Sequence, residues 1–157
     1  MEIDVDRNNF LTPNELQVAL SRLQSNFNFD PRTVDFVIQR FDSNRDNRIS
    51  FDEFQNFYLY LNDEYATFVM NDINGNSSIE ANELANTLST RLNARLNPQT
   101  LQFIVGRVEQ MLQRTISFDI FCRVNARFDI LCRQYQQQRP QMPIDQFLMQ
   151  YFFEQFW

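Results

Sequence analysis

The chain has 157 residues, enough to close a core without disulfides; 43% hydrophobic and 15% aromatic content with only two Gly and five Pro excludes collagen-like, low-complexity and disordered classes. No His is present and all 14 basic residues are Arg, so a Ser-His-Asp triad, a Schiff-base lysine and a phosphate-loop lysine cannot be built from this chain alone. The formal charge of −6 argues against nucleic acid as a partner and favours a cationic ligand.

In chain order, the first informative segment is 4–15, where Asp4, Asp6, Asn8, Phe10, Thr12 and Glu15 occupy positions 1, 3, 5, 7, 9 and 12 of a twelve-residue window. Asp30-Pro31 then opens a helix with the apolar stripe Val34, Phe36, Val37 and Phe41. The window recurs as Asp42, Asn44, Asp46, Arg48, Ser50 and Glu53, and again as Asp72, Asn74, Asn76, Ser78, Glu80 and Glu83. Asn97-Pro98 opens a further helix striped by Leu101, Ile104, Val105 and Val108. A fourth unit keeps the apolar Ile116 and the helix cap Ser117, but Ile120 replaces the closing Glu, and Glu109, Met111 and Gln113 upstream form no oxygen ladder. In a fifth, Tyr135, Gln137, Arg139 and Pro140 stand in the expected loop and Gln146 at its end, so no cation is expected in either. Cys122 and Cys132 lie ten positions apart on one expected helix, ~15 Å by helical rise, too far for a disulfide.

Alternating oxygen side chains, one backbone carbonyl and a terminal bidentate Glu make a cage for Ca2+, which takes ~6–8 oxygens at ~2.3–2.6 Å. Ser/Thr-x-x-Glu alone is also a helix-capping box, which Thr12–Glu15 and Ser50–Glu53 satisfy, but three complete ladders exceed what capping needs. The sharp turn at position 6 usually takes Gly. Asn9 and Asn47 are mild substitutes there and Ser77 a poorer one, so the third site is expected to be the weakest.

The five units place their first apolar residues at Leu11, Ile49, Ile79, Ile116 and Met142, at intervals of 38, 30, 37 and 26. After subtracting a twelve-residue loop, the long intervals hold two helices and a turn. The short ones leave 18 and 14 residues, one helix shared by both neighbouring loops. An all-α domain is expected over residues 1–157. It comprises five helix-loop-helix units with short β-pairing between loops: the first two in 1–65, the next two in 66–124, and an unpaired fifth in 125–157.

With its three loop motifs and alternating rhythm, the chain resembles the penta-EF-hand family, which includes sorcin, grancalcin and the calcium-binding domains of calpains. The fourth unit, "QRTISFDIFCRV", is most similar to the degenerate hand of calpain-type members. The resemblance implies a non-enzymatic calcium sensor or adaptor with Ca2+ as its cofactor, acting on a protein target. It also implies a homodimer or heterodimer through the fifth hand, Tyr135 to Trp157, with Phe147, Leu148, Tyr151, Phe152, Phe156 and Trp157 filling the interface or else capping the chain's own core. The alternatives are a regulatory domain or subunit of a calpain-like cysteine protease and a calcium buffer. A cytoplasmic location is expected, with no integral membrane segment and calcium-dependent peripheral membrane association as an option. Three residues precede Asp4, so the helix that should enter the first loop is absent, and either the first site is less preorganised or the chain is a fragment.

Overall fold

The computed structural model describes residues 4, 6–23, 29–73, 75–91, 97–112 and 116–154. Among these, the elements run β1 (Phe10–Leu11), α1 (Pro13–Leu23), α2 (Pro31–Phe41), β2 (Ile49–Ser50), α3 (Phe51–Asn71), α4 (Ala81–Arg91), α5 (Pro98–Leu112), α6 (Phe118–Gln138) and α7 (Ile144–Tyr151). The architecture is all-α apart from the two-residue antiparallel ribbon β1–β2. Prolines open α1, α2 and α5, where the missing N–H costs nothing; Asp30 caps α2 by accepting from the Arg32 N–H at 2.9 Å.

Both shared helices are present, α3 between the second and third units and α6 between the fourth and fifth, each 21 residues long. They exceed the expected 18 and 14 for different reasons. In α3 the helix begins at loop position 10, so the closing Glu53 sits inside its first turn. In α6 the fifth loop is shorter than twelve residues. Tyr135 and Gln137, expected in that loop, belong to α6, which ends only at Arg139 in the left-handed conformation (φ 45°). Five residues, 139–143, separate it from α7.

The loops meet in pairs at position 8. Leu11 pairs with Ile49 and Phe10 with Ser50, and Ile79 exchanges two 2.9 Å backbone hydrogen bonds with Ile116. All four residues at position 8 are buried, which fixes the loop pairs on the core. Beneath them lies an aromatic layer in which the Phe118 ring meets Tyr65 at 5.2 Å and Phe68 at 5.4 Å edge-on.

Helix α2 lies along α6 and is fastened there by arginines. The Arg123 Nε donates to Thr33 Oγ1 at 2.8 Å, Arg40 faces Asp129 at 3.6 Å, and the Arg127 guanidinium stands 5.4 Å over the Phe36 ring. Arg123 also lies 3.4 Å from Asp30 and 3.7 Å from Asp119, so its buried charge is compensated. Burial pushes the Asp119 carboxyl up, against the lowering effect of its Thr33 and Asp30 hydrogen bonds and of Arg123. Between the two shared helices, buried Asn125 donates to Glu64 Oε2 at 2.8 Å. Cys122 and Cys132 are both free thiols on α6. No helix among the described residues is long and apolar enough to cross a membrane.

Candidate metal centre

All three acidic loops are folded by one scheme of side chain to backbone bonds. The position-1 carboxylate accepts from the N–H groups of positions 5 and 6: Asp4 from Asn8 and Asn9 at 3.1 and 2.8 Å, Asp42 from Asp46 and Asn47 at 3.2 and 2.7 Å, Asp72 from Asn76 and Ser77 at 3.2 and 2.8 Å. The position-5 oxygen accepts from the N–H of position 7, Asn8 from Phe10 at 2.8 Å, Asp46 from Arg48 at 2.9 Å and Asn76 from Ser78 at 3.0 Å. The closing Glu accepts from the N–H of position 9: Glu15 from Thr12 at 3.0 Å, Glu53 from Ser50 at 2.9 Å, Glu83 from Glu80 at 2.8 Å. Each candidate ligand in these bonds is therefore oriented by the chain before any ion is considered.

Such winding needs two left-handed residues per loop. Position 6 is left-handed as expected, at Asn9 (φ 65°), Asn47 (58°) and Ser77 (64°), and so is position 4, at Arg7 (56°), Arg45 (60°) and Gly75 (67°). Only Gly adopts that region without a Cβ penalty. The third loop is thus poorer than the others at position 6 and better at position 4, which offsets part of the weakness expected from Ser77. The requirement at position 4 was missed in the sequence; the signal was Gly75 itself, one of only two glycines in the chain.

In the first loop one oxygen each of Asp4, Asp6 and Glu15 lies within 4.8 Å of the others. Oxygens on one Ca2+ are separated by at most about 5 Å, so these three fit a single coordination sphere, and hard carboxylate donors suit that ion. Desolvation works to raise the Asp4 carboxyl, but hydrogen bonding with Asn9, Asp6, Asn8 and Arg7 outweighs it and holds the group below the usual Asp value. Asn8 Nδ2 donates to Asp6 Oδ2 at 2.8 Å, and Asn44 Nδ2 to Asp46 Oδ2 at 3.2 Å, so in each case a neutral amide spans to the adjacent carboxylate. The Thr12 hydroxyl donates to Glu15 Oε2 at 2.8 Å, and Ser50 and Glu53 form a complete capping box. Capping and convergence with Asp4 and Asp6 therefore coexist on Glu15. Phe10, Arg48 and Ser78 sit at position 7, where the backbone carbonyl is the candidate ligand, and Thr12, Ser50 and Glu80 at position 9. Asn74, the position-3 candidate of the third loop, lies outside the described residues.

The fourth unit contrasts with these. Ser117 caps α6 by accepting from the Ile120 N–H at 3.4 Å, while Ile120, in the place of the closing Glu, is a buried hydrophobe. Glu109 and Met111 are exposed on α5, and Gln113 lies outside the described residues. Of the side chains expected at a dimer interface, Phe147, Leu148 and Phe152 are already buried within the chain and Tyr151 is half-buried, because α7 packs onto α6 and α5. Phe156 and Trp157 lie outside the described residues. Of the two readings of this segment, capping of the chain's own core holds for Phe147, Leu148 and Phe152.

Residues 1–59 match the model of the EF-hand domain pair. The chain is 32% identical over 93 residues to penta-EF hand domain-containing protein 2 of Dictyostelium discoideum, covering 57% of this chain and 42% of that protein. It is 28% identical over 105 residues to peflin of Danio rerio, covering 67% of this chain and 38% of that protein. The chain spans about two fifths of the length of these curated relatives. Among solved structures, a homolog of programmed cell death 6 protein from Leishmania major Friedlin shares the fold, with a TM-score of 0.64 at 21% identity over 93% of this chain and 82% of that one. Residues 1–59 are thus an EF-hand domain pair, for which Ca2+ is the cofactor, and the chain is similar to penta-EF-hand proteins.

Proposed function

We propose that the chain is a calcium sensor that acts as an adaptor in the cytoplasm, without chemistry of its own. It takes Ca2+ into the loops 4–15, 42–53 and 72–83, dimerises through its fifth unit and regulates a protein partner. The observation that carries this reading is the convergence of the Asp4, Asp6 and Glu15 carboxylates to within 4.8 Å, on a hydrogen-bonding scheme that the second and third loops repeat. Bound Ca2+ supplies positive charge to loops that hold ten of the chain's 20 acids. Asp42 and Asp72 are also the C-caps of α2 and α3, through bonds from their N–H groups to the Ile38 and Phe68 carbonyls at 2.7 and 2.9 Å. A ligand carboxylate drawn inward at either place carries a helix end with it. Because α2 is fastened to α6, the second loop addresses the helix that leads into the fifth unit.

A calcium titration followed by hydrophobic-dye fluorescence and small-angle scattering tests the sensor. Both signals are expected to change together as the loops fill. Calcium uptake with no change in either signal identifies a buffer instead and overturns the proposal.

A further inference from the structure

The turn 139–143 between α6 and α7 opens on Arg139 in the left-handed conformation (φ 45°, ψ 57°). Among the described residues this is the one left-handed position outside the acidic loops. Any side chain but that of Gly pays a Cβ penalty there. Pro140 adds a second conflict, because a proline ring drives the residue before it towards extended backbone. Closed, the turn is strained at one residue for two reasons; opened and extended, it is relaxed. Helix α7 has eight residues, fewer than the ~12–15 that sustain a helix alone, so it depends on its seat. Phe147, Leu148 and Phe152 are at most 5% exposed against α5 and α6. At the start of α7, Asp145 accepts from the Asn97 N–H at 2.8 Å and the Thr100 hydroxyl at 2.7 Å; at its end, Arg127 donates to the Tyr151 and Phe152 carbonyls at 2.6 and 3.1 Å.

We propose that two copies of this chain exchange α7: the turn 139–143 opens, and each α7 seats on α5 and α6 of the other copy. The ties at Asn97, Thr100 and Arg127 lie away from the turn, so they serve the α7 of a second copy as well as their own. Exchange therefore keeps these contacts and releases two strained turns, the circumstance in which a short hinge favours swapping. It is also the arrangement in which Phe147, Leu148 and Phe152 stay inside a core and still join two chains. Pairing of loop edges, as in the first four units, is disfavoured in the fifth. Met142, which stands where those loops pair, already accepts from the Tyr135 hydroxyl at 2.8 Å, and the neighbouring Pro143 has no N–H. The proposal rests on the reading that the fifth unit dimerises and adds to it the element exchanged, its seat and its hinge.

The test combines Thr100→Cys with Asp145→Cys, one cysteine on the seat and one on α7, at side chains that already meet at 2.7 Å. The full chain is refolded from urea at high concentration, so that slow opening of the turn hides nothing, and is then mildly oxidised. Light scattering gives the native mass and gel electrophoresis without reductant the denatured mass. Mass spectrometry of the bridged peptides tells the new cysteines from Cys122 and Cys132. Exchange predicts a doubled mass by both methods, since each bridge joins two chains. A doubled native mass whose bridge closes within one chain, or does not form, overturns the exchange and leaves the fifth-unit dimer standing. A single native mass at every concentration overturns both. A second variant needs no cysteine: Arg139→Gly with Pro140→Ala relaxes the closed turn. It should raise the dissociation constant of the dimer about a hundredfold, roughly tenfold for each of the two turns. An unchanged constant overturns the proposal.

Discussion

The first and fourth loops make the same backbone contact and carry opposite chemistry. Leu11 meets Ile49, and Ile116 meets Ile79, each at position 8 and each buried. Yet Glu15 closes the first loop with a carboxylate, whereas Ile120 stands in the equivalent place as a buried hydrophobe. Pairing is thus a property of one apolar residue and two hydrogen bonds. Metal chemistry is a separate layer, written in the alternate side chains of the loop. A hand can lose the second and keep the first, because the core needs the apolar contact whether or not an ion is present.

This separation is most strongly tested by removing calcium. Each occupied loop stabilises the fold by ~2.7 kcal/mol at a hundredfold excess over its Kd, so three loops predict a difference of ~8 kcal/mol between saturated and chelated protein, measured by urea unfolding. Glu15→Gln should remove about a third of that difference while leaving the chelated protein unchanged. Next in size, Ile49→Ala and Ile116→Ala should each cost ~2–5 kcal/mol in chelator, since both delete buried side chains from the pairing layer. Both should also weaken calcium binding, since Ile49 lies in the second loop and Ile116 pairs with Ile79 of the third.

A finer contrast lies in the left-handed positions. Ser77→Gly should stabilise the third loop by ~1–2 kcal/mol and tighten its calcium binding about tenfold, while Gly75→Ala should cost a similar amount. A Cβ at residue 75 meets no atom within 4 Å, so its cost is conformational rather than steric. The smallest effect concerns Cys132, whose thiol is pushed up to about 12 by burial and by Asp129. Its contribution to stability is whole below the ordinary value of 9.0 and is lost as pH rises through the folded value, since the unfolded thiol ionises first. Native protein at pH 8 should therefore label at this thiol with iodoacetamide far more slowly than urea-unfolded protein.

Much of this was legible because the ladders and the position-8 residues are local patterns. Asp-Pro and Asn-Pro pairs placed the starts of α2 and α5, and the intervals located both shared helices. What escaped detection depends on tertiary packing. Loop five was drawn by analogy at twelve residues, but Tyr135 packs against Phe147 at 5.5 Å and so remains helical, leaving five residues for the turn. Phe147 and Phe152 carry the same apolar signal whether they face a partner or their own core, and only the packing of α7 on α6 and α5 shows that the core buries them. The left-handed demand at position 4 was hidden in the first two loops because Arg7 and Arg45 tolerate it within the carboxylate-anchored turn.

The proposed sensor requires calcium in loops 4–15, 42–53 and 72–83 and none in the last two units. Isothermal titration of the full chain, alone and with Glu15→Gln, Glu53→Gln and Glu83→Gln combined, measures it directly. Three ions per chain, with binding weakened by well over the ~10–100-fold that an outer-sphere change causes in the triple variant, is the predicted result. Fewer than three ions, or undiminished uptake by the triple variant, would contradict it.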